Sequence, residues 1–127
     1  MITTLGGVSA LNPHGADSVM RRRADSLFKG NLRTLLAAGV HLAVGSDSYR
    51  DDASNEVRYL ATLGVFDDMS LLRLWSEATP KAIFPNRRVG CLDDGCEVSF
   101  LALGANPSAD FSIVRDIRLR VKDGRVF

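Results

Sequence analysis

The stretch HLAVGSDSYRDD, residues 41–52, gathers the side chains best suited to chemistry. A short apolar run, Val40 to Val44, meets a glycine, and then Ser46, Asp47, Ser48 and Tyr49 follow. A strand that ends in this way delivers a carboxylate to its own tip. A carboxylate placed there can accept a proton, bind a cation or cap the next turn. Only two histidines, His14 and His41, are available to work with it. His41 precedes Asp47 by six positions on one extended run, which puts the two roughly 20 Å apart at about 3.3 Å per residue. They cannot share an ion. His14 reaches Asp47 only if its loop folds over the strand ends, and one histidine with one aspartate falls short of the ligand set of a catalytic zinc. Ser46 and Ser48 have no histidine nearby in sequence and sit in no G-x-S-x-G elbow. Cys91 and Cys96 form a C-x4-C pair without adjacent histidine, a poor zinc motif. Two free thiols in a reducing cytosol are expected, with a disulfide allowed by the spacing.

The elements that position these residues follow from pattern. MITTL (1–5) reads as the end of a strand, stopped by Gly6-Gly7, and residues 8–17 read as an irregular loop. Met20, Ala24, Leu27 and Phe28 recur at helical steps. Gly30 predicts a break or kink, after which Asn31 caps a second helix with Leu32, Leu35 and Leu36 inward and Gly39 at its end. A helix passing through a glycine straight into Val40–Val44 is the second half of a βαβ unit. Residues 53–63 predict a helix with Val57, Leu60 and Ala61 inward. Asp67 or Asp68 starts another, with Leu71, Leu74, Trp75 and Ala78 inward. Thr79-Pro80 restarts a helix, threonine as cap and proline in the first turn, and Pro85 stops it. CEVSFLALG (96–104) and the alternating DIRLRVKDGRVF (116–127) predict strands, with Asp123-Gly124 as a tight turn and Val126-Phe127 returning.

The bulk numbers exclude several classes. The 127 residues carry 46% apolar and 24% charged side chains, which suits a globular chain. The formal net charge of +1 gives no field for nucleic acid or anionic membrane. Arg21-Arg22-Arg23 reads as a solvated helix face. No apolar run approaches the roughly 18 residues of a membrane span, and no signal-peptide pattern opens the sequence. A cytoplasmic protein is expected.

NLRTLLAAGVHLAVGSDS (31–48), LATLGVFDDMSLLRLWSEATPKAIF (60–84), VGCLDDGCEVSFLALGANPSADF (89–111) and IRLRVKDGRVF (117–127) resemble, in this order, the C-terminal third of the amidohydrolase superfamily, in particular imidazolonepropionase-like metal-dependent hydrolases. The resemblance implies an α/β fold: residues 1–86 as the C-terminal piece of a (β/α)8 barrel, with its last two strands and their helices, and residues 87–127 as part of a small β-sandwich. MITTL would be the seventh barrel strand and Val40–Val44 the eighth. In such enzymes one or two metal ions, usually zinc, sit at the barrel's C-terminal face. The aspartate of the G-S-D motif touches the metal and relays a proton from metal-bound water to the leaving group. That role falls on Asp47, as both catalytic and metal residue, with Ser48 and Tyr49 at the edge of the substrate pocket.

The family's His-x-His strand, its bridging lysine or carboxylate and its two further histidines have no counterpart in these residues, and a barrel of this kind takes about 250 residues. Val98 and Gly104-Ala105 also depart from the family pattern, within the sandwich. The implied function is a C-terminal portion of a metal-dependent hydrolase of non-peptide or cyclic amide C–N bonds, inactive by itself. The open edges and uncovered apolar faces of its two parallel strands imply that residues 40–44 need a partner: the missing N-terminal barrel portion, a second copy of the chain or a sheet of different design. The alternatives are a non-enzymatic binding or assembly module, including a subunit that completes a separately encoded N-terminal half, and a site composed of His14 and Asp47 from two chains.

Overall fold

The computed structural model describes residues 1–4, 18–46 and 52–127. The chain divides into two compact units, Met1–Asp67 and Asp68–Phe127.

In the first unit, β1 (Ile2–Thr3) pairs in parallel with β2 (Ala43–Val44), Ile2 opposite Ala43 and Thr3 opposite Val44. This is the parallel pairing that a βαβ unit requires. Backbone bonds from Ala43 N to the Met1 carbonyl and from Gly45 N to the Thr3 carbonyl, 2.8 and 2.9 Å, extend it at both ends. Leu42, Ala43 and Val44 are all buried, so the strand is covered on both faces. The strand is shorter than the expected five residues.

Helix α1 (Ser18–Ala37) runs unbroken through Gly30, against the expected break and the expected cap at Asn31. A Cβ on Gly30 would meet nothing within 4 Å. The position is open to water, and the glycine penalty of about 1 kcal/mol is outweighed by helix propagating from both sides. Leu32 is the buried residue of this helix. Met20 and Leu27, read as sharing one helix face, are 67% and 65% exposed, and Leu36, expected inward, is exposed too. Arg21, Arg22 and Arg23 are exposed, as a solvated face requires. The helix ends at Gly39, whose φ of +71° suits a glycine stop. Helix α2 (Ser54–Leu63) matches its expected span. Val57 and Leu60 are fully buried, and Phe28 of α1 meets Tyr59 of α2 edge to face, ring centroids 6.4 Å apart.

The second unit begins with α3 (Asp68–Arg73), continues as a π-helical turn (Leu74–Ala78) and ends as α4 (Thr79–Ile83). Leu71 and Leu74 are buried, as expected, whereas Ala78 is exposed. Thr79 does not cap a new helix. Its backbone N–H bonds to the Leu74 carbonyl five residues back, and its hydroxyl donates to the same oxygen at 2.7 Å. The cause is Pro80, which has no N–H for the Ser76 carbonyl and whose ring would collide with that carbonyl in a regular helix. One widened turn relieves the collision.

An antiparallel sheet follows, in the order β3 (Phe100–Leu103), β4 (Ile117–Lys122), β5 (Arg125–Val126). The expected strand over 96–104 is confined to β3. Strand β4 alternates as read, with Val121 buried and Arg118, Arg120 and Lys122 exposed. The β4–β5 turn places Asp123 and Gly124 both at positive φ, the geometry that Asp-Gly supplies in a two-residue hairpin. A 3-10 turn (Phe111–Arg115) precedes β4 and is capped by Asp110, whose carboxylate accepts from Ser112 N at 2.9 Å. The fold is therefore mixed α/β, with a parallel pair and a small three-stranded antiparallel sheet.

Candidate functional site

The expected site lies where the chain leaves β2. Gly45 is needed there: a Cβ would fall 2.5 Å from Ile2 Cγ2 and 3.3 Å from the Thr3 carbonyl. Its absence lets the tip of β2 lie flat against β1. Thr3, 2% exposed, donates its hydroxyl to the Ala43 carbonyl at 3.4 Å and fixes the two strands from the other side. Ser46 is the last described residue of this exit and is exposed. Asp47, Ser48, Tyr49 and His14 lie outside the described residues. His41 is described: it is exposed and precedes the buried strand at the end opposite to Ser46.

Among the described residues, no group of three or more histidine, cysteine, aspartate or glutamate side chains could hold a metal ion. The described part of the chain therefore does not fit the metal that the resemblance implies, and no catalytic step through such an ion is drawn from it.

Two clusters were not read from the sequence. In the first unit the Tyr59 hydroxyl donates to Asp25 Oδ1 at 2.6 Å, joining α2 to α1. Burial, then the bond to Asp25, then the negative charges of Asp25 and Glu56 push the phenol well above its ordinary value, and Arg21 opposes them weakly. A phenol held protonated in this way is no proton carrier near neutrality; the cluster fastens helices. Glu56, 3% exposed, lies in the first turn of α2. The signal for this pairing is only that Asp25 and Phe28 share a helix face, which does not name a partner.

In the second unit Arg87 grips Glu97 through both carboxylate oxygens and lies 3.9 Å from Asp123. Its guanidinium also stands 5.3 Å from the Phe84 ring centroid. The guanidinium holds the Glu97 carboxyl below its ordinary value. All these groups are exposed or half-exposed, so this is a surface clasp between the segment after α4 and the β4–β5 turn.

Cys91 and Cys96 are joined by a disulfide, which corrects the expectation of two free thiols. Their Cα atoms stand 5.9 Å apart, within disulfide reach. A turn with a 3.0 Å bond from Cys96 N to the Asp93 carbonyl folds the second cysteine back onto the first. Sequence spacing allowed the bond but could not show this turn.

No protein-family model and no curated protein matches the sequence. Solved structures do match its fold. An amidohydrolase superposes with a TM-score of 0.75 at 20% identity, covering 99% of this chain and 33% of that one. A prolidase complexed with N-methylphosphonate-L-proline gives 0.74 at 19%, covering 99% of this chain and 34% of its own. An A. niger ochratoxinase gives 0.74 at 19%, covering 99% and 31%. The chain thus spans about a third of the length of the structures it matches. At these identities the likeness is one of fold, and it agrees with the amidohydrolase resemblance carried by the sequence motifs. No helix among the described residues is long and apolar enough to cross a membrane.

Proposed function

We propose that these residues form the C-terminal portion of a metal-dependent amidohydrolase that cleaves C–N bonds of small amides. In this reading β1 and β2 are the last two strands of a (β/α)8 barrel, and residues 87–127 belong to a β-sandwich beside it. The observation that carries the proposal is the match of 99% of this chain to a third of a solved amidohydrolase. The parallel β1–β2 pair agrees with it, because the segment containing Asp47 follows directly from the carboxyl end of β2. In α/β folds that end of the strands is where ligands bind.

Asp47 is the residue through which this portion would enter the chemistry, as a proton acceptor, with Ser48 and Tyr49 beside the substrate. An unperturbed aspartate, pKa about 3.9, is a weak base at neutral pH. Residues beyond these 127 must then supply the ligands for a metal, expected to be zinc, that makes the proton worth taking. The exposed Met20 and Leu27 of α1 fit a surface covered by the remaining barrel portion or by a second copy of this chain.

The test is hydrolysis of a panel of cyclic amides and N-acyl amino acids. A polypeptide joining these residues to an N-terminal portion with a His-x-His strand should turn over at least one of them, and Asp47→Asn should remove nearly all of that activity. Turnover by the 127-residue chain alone, or full activity of Asp47→Asn in the longer polypeptide, would overturn the reading.

The same exposed apolar residues favour one rival, a non-enzymatic assembly module. Size-exclusion chromatography separates the two. A monomer or a single defined oligomer with a cooperative melt supports an autonomous module, and non-specific aggregation supports a portion that lacks its cover.

A further inference from the structure

We propose that Cys91 and Cys96 form a reversible thiol–disulfide exchange site in which Cys96 is the nucleophile and Cys91 the resolving thiol. The disulfide encloses only the residues 92–95 between its ends. That short loop is closed a second time without sulfur. Glu97 N donates to the Arg88 carbonyl at 2.8 Å, and the Arg87 guanidinium grips the Glu97 carboxylate just outside the bond. A crosslink across so short a loop restricts the unfolded chain less than one across a long loop, and the bonds at Arg88 and Glu97 already hold this loop closed. Its reduction is absorbed locally.

The two sulfurs have different surroundings. Arg88 Nη2 stands 4.0 Å from Cys96 Sγ. Gly95 makes room for it: with φ +81° and no Cβ, it leaves free a position where a Cβ would fall 2.5 Å from Arg88 Nη1. Cys91 Sγ instead faces the Arg88 backbone carbonyl at 3.7 Å. After reduction, the guanidinium favours the thiolate at Cys96, and the carbonyl favours the protonated thiol at Cys91. The remaining charged side chains of the segment are Asp93 and Asp94, exposed in the loop, and Arg87 and Glu97, which engage each other.

The exchange partner is a small-molecule disulfide. The Cys96 thiolate attacks one sulfur of that disulfide and bonds to it, giving a mixed disulfide at Cys96, while the S–S bond breaks and the other sulfur leaves as a thiolate. Cys91 loses its proton to solvent and attacks Cys96 Sγ, expelling the second thiolate. The protein dithiol is oxidised by two electrons and one external disulfide is reduced to two thiols. Excess external thiol drives the reverse.

The experiment uses the full chain. Air-oxidised protein should show no thiol under denaturing alkylation, and reduction should expose two while the far-UV circular dichroism is retained. With oxidised glutathione as probe, Cys91→Ser should accumulate a mixed disulfide at Cys96, and reduced wild type should regain the internal bond. At pH 7, Cys91→Ser should alkylate about tenfold faster than Cys96→Ser, as one pKa unit of thiolate stabilisation would give. Arg88→Gln in the Cys91→Ser background should remove most of that advantage and shift the pH–rate midpoint up towards about 8.5. Two free thiols in air-oxidised protein, unfolding on reduction, equal rates for the two cysteines, or no effect of Arg88→Gln would each overturn the proposal.

Discussion

Gly90 lies directly over the carbonyl of Ser76: a Cβ at position 90 would stand 2.3 Å from that oxygen and 3.3 Å from Pro80 Cγ. The two ends of this relationship were separate motifs in the sequence. Pro80 takes the hydrogen-bond donor away from Ser76, the widened turn displaces that carbonyl, and the only residue type able to lie against it is glycine. Gly90 also holds φ +76°, a second reason for its identity. The E-A-T-P helix and the G-x-L-x-x-G loop are therefore one packed unit.

Gly90→Ala should lose about 2 kcal/mol or more, because the left-handed backbone and the backbone contact both penalise a methyl group. Urea unfolding should show a lower midpoint with an unchanged slope. Wild-type stability would show that the 76–90 contact does not exist.

Gly30→Ala should act in the opposite direction. The site is in the middle of α1, has open space around it and has no positive φ. A gain of about 0.5–1 kcal/mol is expected, seen as a higher melting temperature. A loss would mean that the helix is broken there after all.

Gly30 also shows where sequence reasoning stops. A glycine in a helical pattern announces a cost, but whether the helix absorbs it depends on the length of good sequence on both sides. The same limit governs Met20 and Leu27: periodicity marks a face without saying what covers it. Features set by neighbours in sequence were legible, among them the Gly39 stop, the α2 span, the Asp123-Gly124 turn and the alternation of β4. The parallel pairing of β1 with β2 followed from the helix between them. The Tyr59–Asp25 bond, between residues 34 positions apart, was not legible; nor were the π-helical turn before Pro80 and the turn that closes the disulfide, which are local but are only one of the conformations their residue types allow. The site residues Asp47, Ser48 and Tyr49 rest on motif order, and their geometry lies outside the described residues.

Tyr59 predicts an alkaline loss of stability. Its folded-state pKa lies above the ordinary 10.0, first through burial and then through the bond to Asp25. Above about pH 10 the unfolded chain releases this proton while the folded chain keeps it, so stability falls as pH rises. Below that pH the contribution is complete. Urea midpoints between pH 9 and 11 should fall more steeply for wild type than for Tyr59→Phe. Parallel slopes would contradict the assignment.

The zinc content of the purified 127-residue chain tests the central claim most directly. Elemental analysis after dialysis in zinc-containing and then zinc-free buffer should find well under one zinc per chain, because the ligands of the hydrolytic centre are to come from residues beyond these. One tightly held zinc per chain, released on Asp47→Asn, would show that these residues build the metal centre by themselves and would contradict the account.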